Sequence, residues 1–104
     1  MSSPRKGLSA GDDGRRALNA LELQRIRERC EASRQGPWFS YVEGRDHTSG
    51  SSFIMVGEGE GRSDDIELIG ATIADQDFIA NARQDVPRLL DEVHRLRALL
   101  GIDA

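Results

Sequence analysis

Between Leu23 and Cys30 the apolar residues fall three and four apart, with Ile26 between them, while Gln24, Arg25, Arg27, Glu28 and Arg29 fill the gaps. That spacing is one face of an α-helix. Its start is marked by Asn19 as cap with Glu22 three residues on, the pair that makes a capping box, and by Leu18 and Leu23 at the staple positions. Its end is expected near Arg34, because Gly36 supplies a left-handed exit and Pro37 cannot continue the helix. Cys30 then falls on the buried side.

The pattern changes at Trp38. Residues Trp38 to Val42, Ser52 to Val56 and Ile66 to Ile73 are rich in aromatic, β-branched or large apolar side chains, which predicts three strands. The runs GRDHTSGS and GEGEGRSDD between them carry no apolar residue and read as turns, so successive antiparallel pairing is the simplest topology. Trp38, Ser40 and Val42 would share one face, and Ile66 and Leu68 another. Neither alternates cleanly, which leaves open the face that the helices cover.

After Ala74 the period is helical again, with Asp75 as expected cap and a short stripe of Phe78, Ile79 and Ala82. Pro87 disfavours a helical Val86, so this helix should end or kink near Gln84 and a last helix should begin at Pro87. Val86, Leu89, Val93, Leu96 and Leu100 follow at three, four, three, four, the seam of a two-helix contact, widened by Leu90 and Leu99. Arg88 with Glu92 and Asp91 with Arg95 are four apart and should pair, and Gly101 should end the helix. The expected fold class is α+β: an N-terminal helix, a three-stranded antiparallel sheet and two C-terminal helices. Residues 1–17 mix Gly, Ser, Pro and charge without apolar periodicity and read as a disordered tail, which leaves 18–104 as a single α+β domain with C-terminal oligomerisation helices. The tail has a local excess of positive charge, with Arg5, Lys6, Arg15 and Arg16 against Asp12 and Asp13. A core of this size leaves apolar surface over, so a homo-oligomer is expected.

Charge narrows the choice of partner. The chain of 104 residues carries 14 Lys and Arg against 18 acids, a formal charge of -4, which gives no general attraction to DNA or RNA. From Glu43 to Glu67, seven acids oppose only Arg45 and Arg62, so one end of the sheet should be strongly negative. The single Cys30 makes no internal disulfide, no apolar run approaches the ~20 residues of a membrane span, and no apolar signal core follows Arg5 and Lys6, which together predict a reducing, cytoplasmic setting.

Candidate chemistry is sparse. His47, His94 and Cys30 stand in no catalytic motif, and the chain is expected to be no enzyme and to need no metal or cofactor. The glycines of Gly57 to Gly61 alternate with Glu58 and Glu60 and precede Asp64 and Asp65; those carboxylates would repel phosphate, and the ligand spacing of a calcium loop is absent. Cations concentrate instead on the last helices, as Arg83, Arg88, Arg95 and Arg97, with the amide of Asn81 nearby. Arginine forks match phosphate oxygens, and Arg95 and Arg97 flank the seam, so joined subunits would carry a symmetric pair of anion pockets; as isolated side chains they would serve only solubility. Trp38 can stack on a base or anchor the sheet to a helix.

The segment order helix, Gly36-Pro37-Trp38, compact meander, then ADQDFIANARQDVPRLLDEVHRLRALL resembles small phage and prophage proteins of the Ead-like type, with Phe78, Ile79, Ala80, Ala82, Pro87, Leu89 and Leu90 at the matching positions. The same tail is similar to that of the Thoeris anti-defence sponges. That resemblance implies an oligomer of the bacterial host cytoplasm that binds a cyclic nucleotide or cyclic ADP-ribose-type immune messenger at subunit interfaces without cleaving it. It also implies helix arginines on phosphate, with Arg95 or Arg97 where the family places one, and aromatic groups on base. With Arg83, Asn81 and Trp38 from the reading of residue types, and Phe78 from the matching tail, these are the candidate ligand-binding residues. The chain departs from the pattern at Asp75 and Asp77, where the family has Asn and a basic residue, and in the extra turn NARQ before Pro87; both bear on which ligand is held. The alternative expectation is an acidic protein-protein inhibitor, anti-CRISPR-like or a DNA-mimic decoy, that presents the 43–67 acids to a basic surface. A module whose tail binds DNA is a third.

Overall fold

The computed structural model describes residues 16–102. They form α1 (Ala20–Ala32), β1 (Trp38–Tyr41), β2 (Phe53–Val56), a short 3-10 turn (Gly59–Gly61), β3 (Ser63–Ile66) and α2 (Ile73–Leu100). The strands pair antiparallel in the order β1-β2-β3, so the fold is α+β with a three-stranded sheet. The tail expected over 1–17 lies outside the described residues except for Arg16 and Ala17. Arg16 forks the Glu22 carboxylate at 2.9 and 2.6 Å.

The α1 start is as its sequence requires. Glu22 N–H donates to Asn19 Oδ1 at 2.8 Å and Asn19 N–H donates to Glu22 Oε1 at 2.9 Å. Arg16 and that backbone bond together hold Glu22 at a pKa of about 2. The helix ends earlier than expected, at Ala32, and Gly36 is not left-handed. Ser33 ends it: its hydroxyl and N–H both donate to the Cys30 carbonyl, at 2.6 and 3.3 Å, which satisfies a terminal acceptor without a glycine exit.

The register pairs Trp38 with Val56 and Ser40 with Ile54, which puts these four side chains on one face. That is the face that α2 covers: Ile54, Val56 and Ala80 form the core, with Trp38, Ile66 and Leu68 packed around it. On the other face Tyr41 and Phe53 stack at 5.5 Å, and His47 leans on Phe53 at 5.2 Å. The third strand is not where apolar content placed it. It occupies Ser63–Ile66, three residues of the run expected to be a turn and only the first of the expected strand, and the rest of the Ile66 to Ile73 stretch is mostly irregular. An edge strand pairs through its backbone and tolerates exposed charge, so Asp64 and Asp65 fit there, while Ile66 sets its one apolar side chain against Ile54. Beyond it Ile69 is fully exposed and Gly70, at φ 82°, turns the chain into the helix. Gly57 is fixed by a different need, because a Cβ there would collide with the Gly61 carbonyl.

One helix stands where two were expected. α2 runs unbroken through Pro87, capped by Thr72, with Asp75 at the third position of a capping box (both bonds 3.0 Å) rather than as the cap. A proline inside a helix costs roughly 3 kcal/mol and withdraws one hydrogen bond. Here each half is held separately: the first by the sheet, the second by α1, where Leu23 and Leu90 are buried and Arg27 reaches Asp91 at 2.8 Å. A break at Gln84 would release one of them. The expected pairs Arg88 with Glu92 and Asp91 with Arg95 do not form, since Arg95 takes Glu92 and Arg27 takes Asp91. Gly101, at φ 76°, ends the helix as expected, and Ile102 N–H closes back on the Arg97 carbonyl at 2.8 Å.

The first half of α2 is fixed to the sheet by Gln76, Ala80 and Gln84, four residues apart on one face. Ala80 is fully buried and small, which lets the helix approach closely. Gln76 Nε2 is within 3.0 to 3.2 Å of Ser40 Oγ and the carbonyls of Tyr41 and Phe53. Gln84 accepts from Trp38 N–H at 2.7 Å and donates to Trp38 C=O at 3.0 Å, as a paired strand would. Gln84→Leu strands both Trp38 groups and is expected to destabilise the fold by about 1–3 kcal/mol in urea unfolding. Pro87→Ala restores the missing donor to the Arg83 carbonyl and is expected to raise the thermal midpoint, by an amount corresponding to about 1–3 kcal/mol.

Candidate functional site

Between α1 and α2, with Trp38 at its base, lies a groove of about 290 Å³. Ile26, Cys30, Ala82 and Val86 make its apolar walls, and Arg29 and Arg83 bring charge to it. A single acceptor organises one side: the Arg34 carbonyl, just past the end of α1, receives Trp38 Nε1 at 3.2 Å and Arg83 Nε at 3.0 Å. Arg83 is thereby oriented through one nitrogen, and its two terminal nitrogens have no partner among the described residues. Arg29 likewise makes no hydrogen bond or ion pair among them. An indole, an apolar wall and two available guanidinium groups suit a planar, anionic ligand.

A second cleft, of about 470 Å³, follows the free edge of β1. Gly57 N–H donates to the Pro37 carbonyl, which sets the ladder phase and turns the backbone groups of Trp38, Ser40 and Val42 outward. Gln84 occupies those of Trp38, and Asp46 accepts from Val42 N–H at 2.8 Å. Only Ser40 is left facing the cleft. Arg45 stands across it, bound to Asp46 at 2.8 and 3.0 Å and to Asp77 at 2.8 and 3.1 Å. Two carboxylates around one spent guanidinium repel an anion. The cleft is a lock between the 43–47 turn and α2 that also shields the sheet edge from strand addition.

Of the residues singled out in the sequence, Trp38 and Arg83 come together in the first groove. Asn81 lines the edge cleft and donates to the Asp77 carbonyl at 2.9 Å. Phe78 is 75% exposed beside Leu68 and Ile69. Arg95 is held by Glu92 at 3.0 and 2.6 Å, and Arg97 donates to the Leu18 carbonyl at 2.7 Å. Phe78 and Arg97 are separated by about 28 Å along one helix at ~1.5 Å per residue, so within one chain the six do not converge. Arg29 at the groove and Gln84 at the strand edge were missed. Gln84 was legible, because Gln76-Ala80-Gln84 repeats at the spacing of a helix face; nothing local marks Arg29 among its charged neighbours.

Among the described residues no cluster of three or more His, Cys, Asp or Glu is placed to hold a metal ion, and no helix is long and apolar enough to cross a membrane. Comparison with family models, with curated proteins and with solved structures finds no match.

The Arg45 lock has a pH signature. Arg45 first, and the Ser40 hydroxyl second, lower the Asp77 pKa from 3.8 to about 2. A depressed carboxylate stabilises the fold fully above its unfolded pKa and loses that contribution as pH falls through 3.8 towards 2. Asp77→Asn is therefore expected to lower the thermal midpoint at pH 6, and the gap to wild type is expected to close by pH 2.

Proposed function

We propose that this protein is a non-catalytic binding module that sequesters a phosphate-bearing, base-containing small molecule of the cyclic nucleotide or cyclic ADP-ribose type. The observation that carries the reading is the groove in which Trp38 stands beside Arg83 and Arg29, both with nitrogens to spare. A base stacks on the indole against Ile26 and Val86 while the guanidinium groups take phosphate oxygens. At about 290 Å³ the groove is just below the roughly 300–1,000 Å³ usual for ligand sites. Ala82 and Val86 belong both to its wall and to the apolar seam of α2, so a homo-oligomer joined along that seam would deepen it. The resemblance of the tail to phage anti-defence sponges points the same way: stoichiometric capture of an immune messenger in the cytoplasm of a bacterial host.

The acidic reading has one observation in its favour, since β3 exposes Asp64 and Asp65 at the sheet edge. Against it, Arg62 pairs with Asp65 at 3.0 Å and Arg34 donates to the Asp64 carbonyl and Ser63 Oγ, which brings two cations into that edge.

Incubation of the purified protein with a panel of cyclic nucleotides and cyclic ADP-ribose isomers, followed by heat release and mass measurement, tests the proposal. One panel member is expected back at unchanged mass, with affinity reduced about 10–100-fold by Arg29→Gln or Arg83→Gln, the value of a lost charge-assisted bond. Retention of nothing, or equal retention by both variants, overturns it. Loss of activity on neutralising Glu58, Glu60, Asp64 and Asp65 would favour the acidic reading instead.

A further inference from the structure

The folded chain leaves the leucines of the apolar seam of α2 uncovered, with Ala82, Val86 and Val93 part-buried beside them. Leu89, Leu96 and Leu100 are 63%, 44% and 74% exposed, although the sheet and α1 have taken other faces of the same helix. Gln76 and Ala80 face the sheet, while Leu90 is buried and Arg97 reaches Leu18 at the start of α1. At ~100° per residue Leu89, Leu96 and Leu100 lie roughly opposite the sheet contact and about a quarter turn from Leu90, so a helix laid on them clears the sheet, while Ala82 and Val86 stand nearer α1 and bring it to the mouth of the groove.

We infer that a second copy of this chain covers the seam, with its α2 parallel to the first and in register. Two features of the helix select this occupant and this direction. The first is side-chain shape. Counted as heptads, Ile79, Val86, Val93 and Leu100 take the first core position and Ala82, Leu89 and Leu96 the second. β-branched residues at the first position with leucine at the second favour a two-stranded parallel pair.

Charge is the second feature. The positions that flank the core hold Asp85 and Glu92 on one side and Arg83 and Arg97 on the other. A parallel pair sets one side against the opposite side of its partner, so Glu92 of each copy, which Arg95 of its own helix already holds, is set opposite Arg97 of the other, twice by symmetry, and shares its carboxylate between the two cations. An antiparallel pair sets acid against acid and arginine against arginine, which costs stability. Arg97 is half-buried and held through one nitrogen on the Leu18 carbonyl at 2.7 Å, which fixes its direction and leaves its other nitrogens for the carboxylate. At the other end Phe78, 75% exposed, extends the apolar surface beside the seam.

This inference deepens the oligomeric part of the proposed function and rests on it, and its mass and cross-linking measurements are made without ligand. Sedimentation of the full chain over a concentration series is expected to give twice the chain mass in the micromolar range. Leu89→Asp and Leu96→Asp, both at exposed positions, are each expected to return the mass of one chain with an unchanged far-ultraviolet helix signal. Glu92→Arg is expected to weaken association about tenfold, and the double variant Glu92→Arg with Arg97→Glu to recover most of it. Direction is read from Leu100→Cys in a Cys30→Ala background: a parallel pair oxidises to a covalent dimer, and an antiparallel pair holds those positions too far apart. A one-chain mass at about 100 μM, well above the range of a working micromolar dimer, overturns the inference. So does a dimer indifferent to Leu89→Asp, or one whose Leu100→Cys variant fails to cross-link. Cyclic nucleotide retained by a one-chain species would sink the dimer and leave the ligand reading standing; a parallel dimer that retains none would do the reverse.

Discussion

The rest of the structure depends on two glutamines that dock a helix onto a strand edge. Gln84 satisfies the outward N–H and C=O of Trp38, and Gln76 donates to a cluster of acceptors two turns earlier, with Ala80 between them set against Ile54 and Val56. Buried backbone groups without partners cost about 1–3 kcal/mol each, a large part of the stability of a domain this small. The same contact decides which sheet face is covered and sets Trp38 at the base of the groove. It also holds the first half of α2 so firmly that Pro87 does not break the helix.

Much of this was legible in the sequence where a local rule decides the outcome. The Asn19 and Glu22 capping box, Gly101 as helix stop and the first two strands are set by bonds or side-chain shapes within a few residues, and they stand as expected. The errors came where a distant partner decides. β3 forms on four residues with one apolar side chain because β2 offers it an edge, a fact absent from SDDI itself. Pro87 is tolerated because contacts on both sides of it outweigh a local penalty that sequence reading takes at face value. The site divides in the same way. Trp38 and Arg83 could be named from residue type, but their meeting depends on a carbonyl at the end of α1, 49 residues away from Arg83.

Charge is used in two distinct ways in the molecule. Arg45, Arg16, Arg95 and Arg27 are committed to carboxylates and fasten segments together, with Asp77 and Glu22 held near pKa 2 as a result. Arg83 and Arg29 are not so committed among the described residues, and both border a groove whose walls are largely apolar. A guanidinium already paired is a poor receptor for phosphate, because the ligand must first displace a carboxylate. This distinction, more than the number of arginines, separates the groove from the edge cleft.

Arg34 joins regions that are otherwise far apart along the chain. Its carbonyl receives Trp38 and Arg83, and its guanidinium reaches across to Ser63 and the Asp64 carbonyl on β3. A rotation of the peptide at this residue would slacken the indole, the neighbouring cation and the outermost strand in one movement. The linker after α1 is thus the joint that ties the wall of the groove to the acidic rim of the sheet.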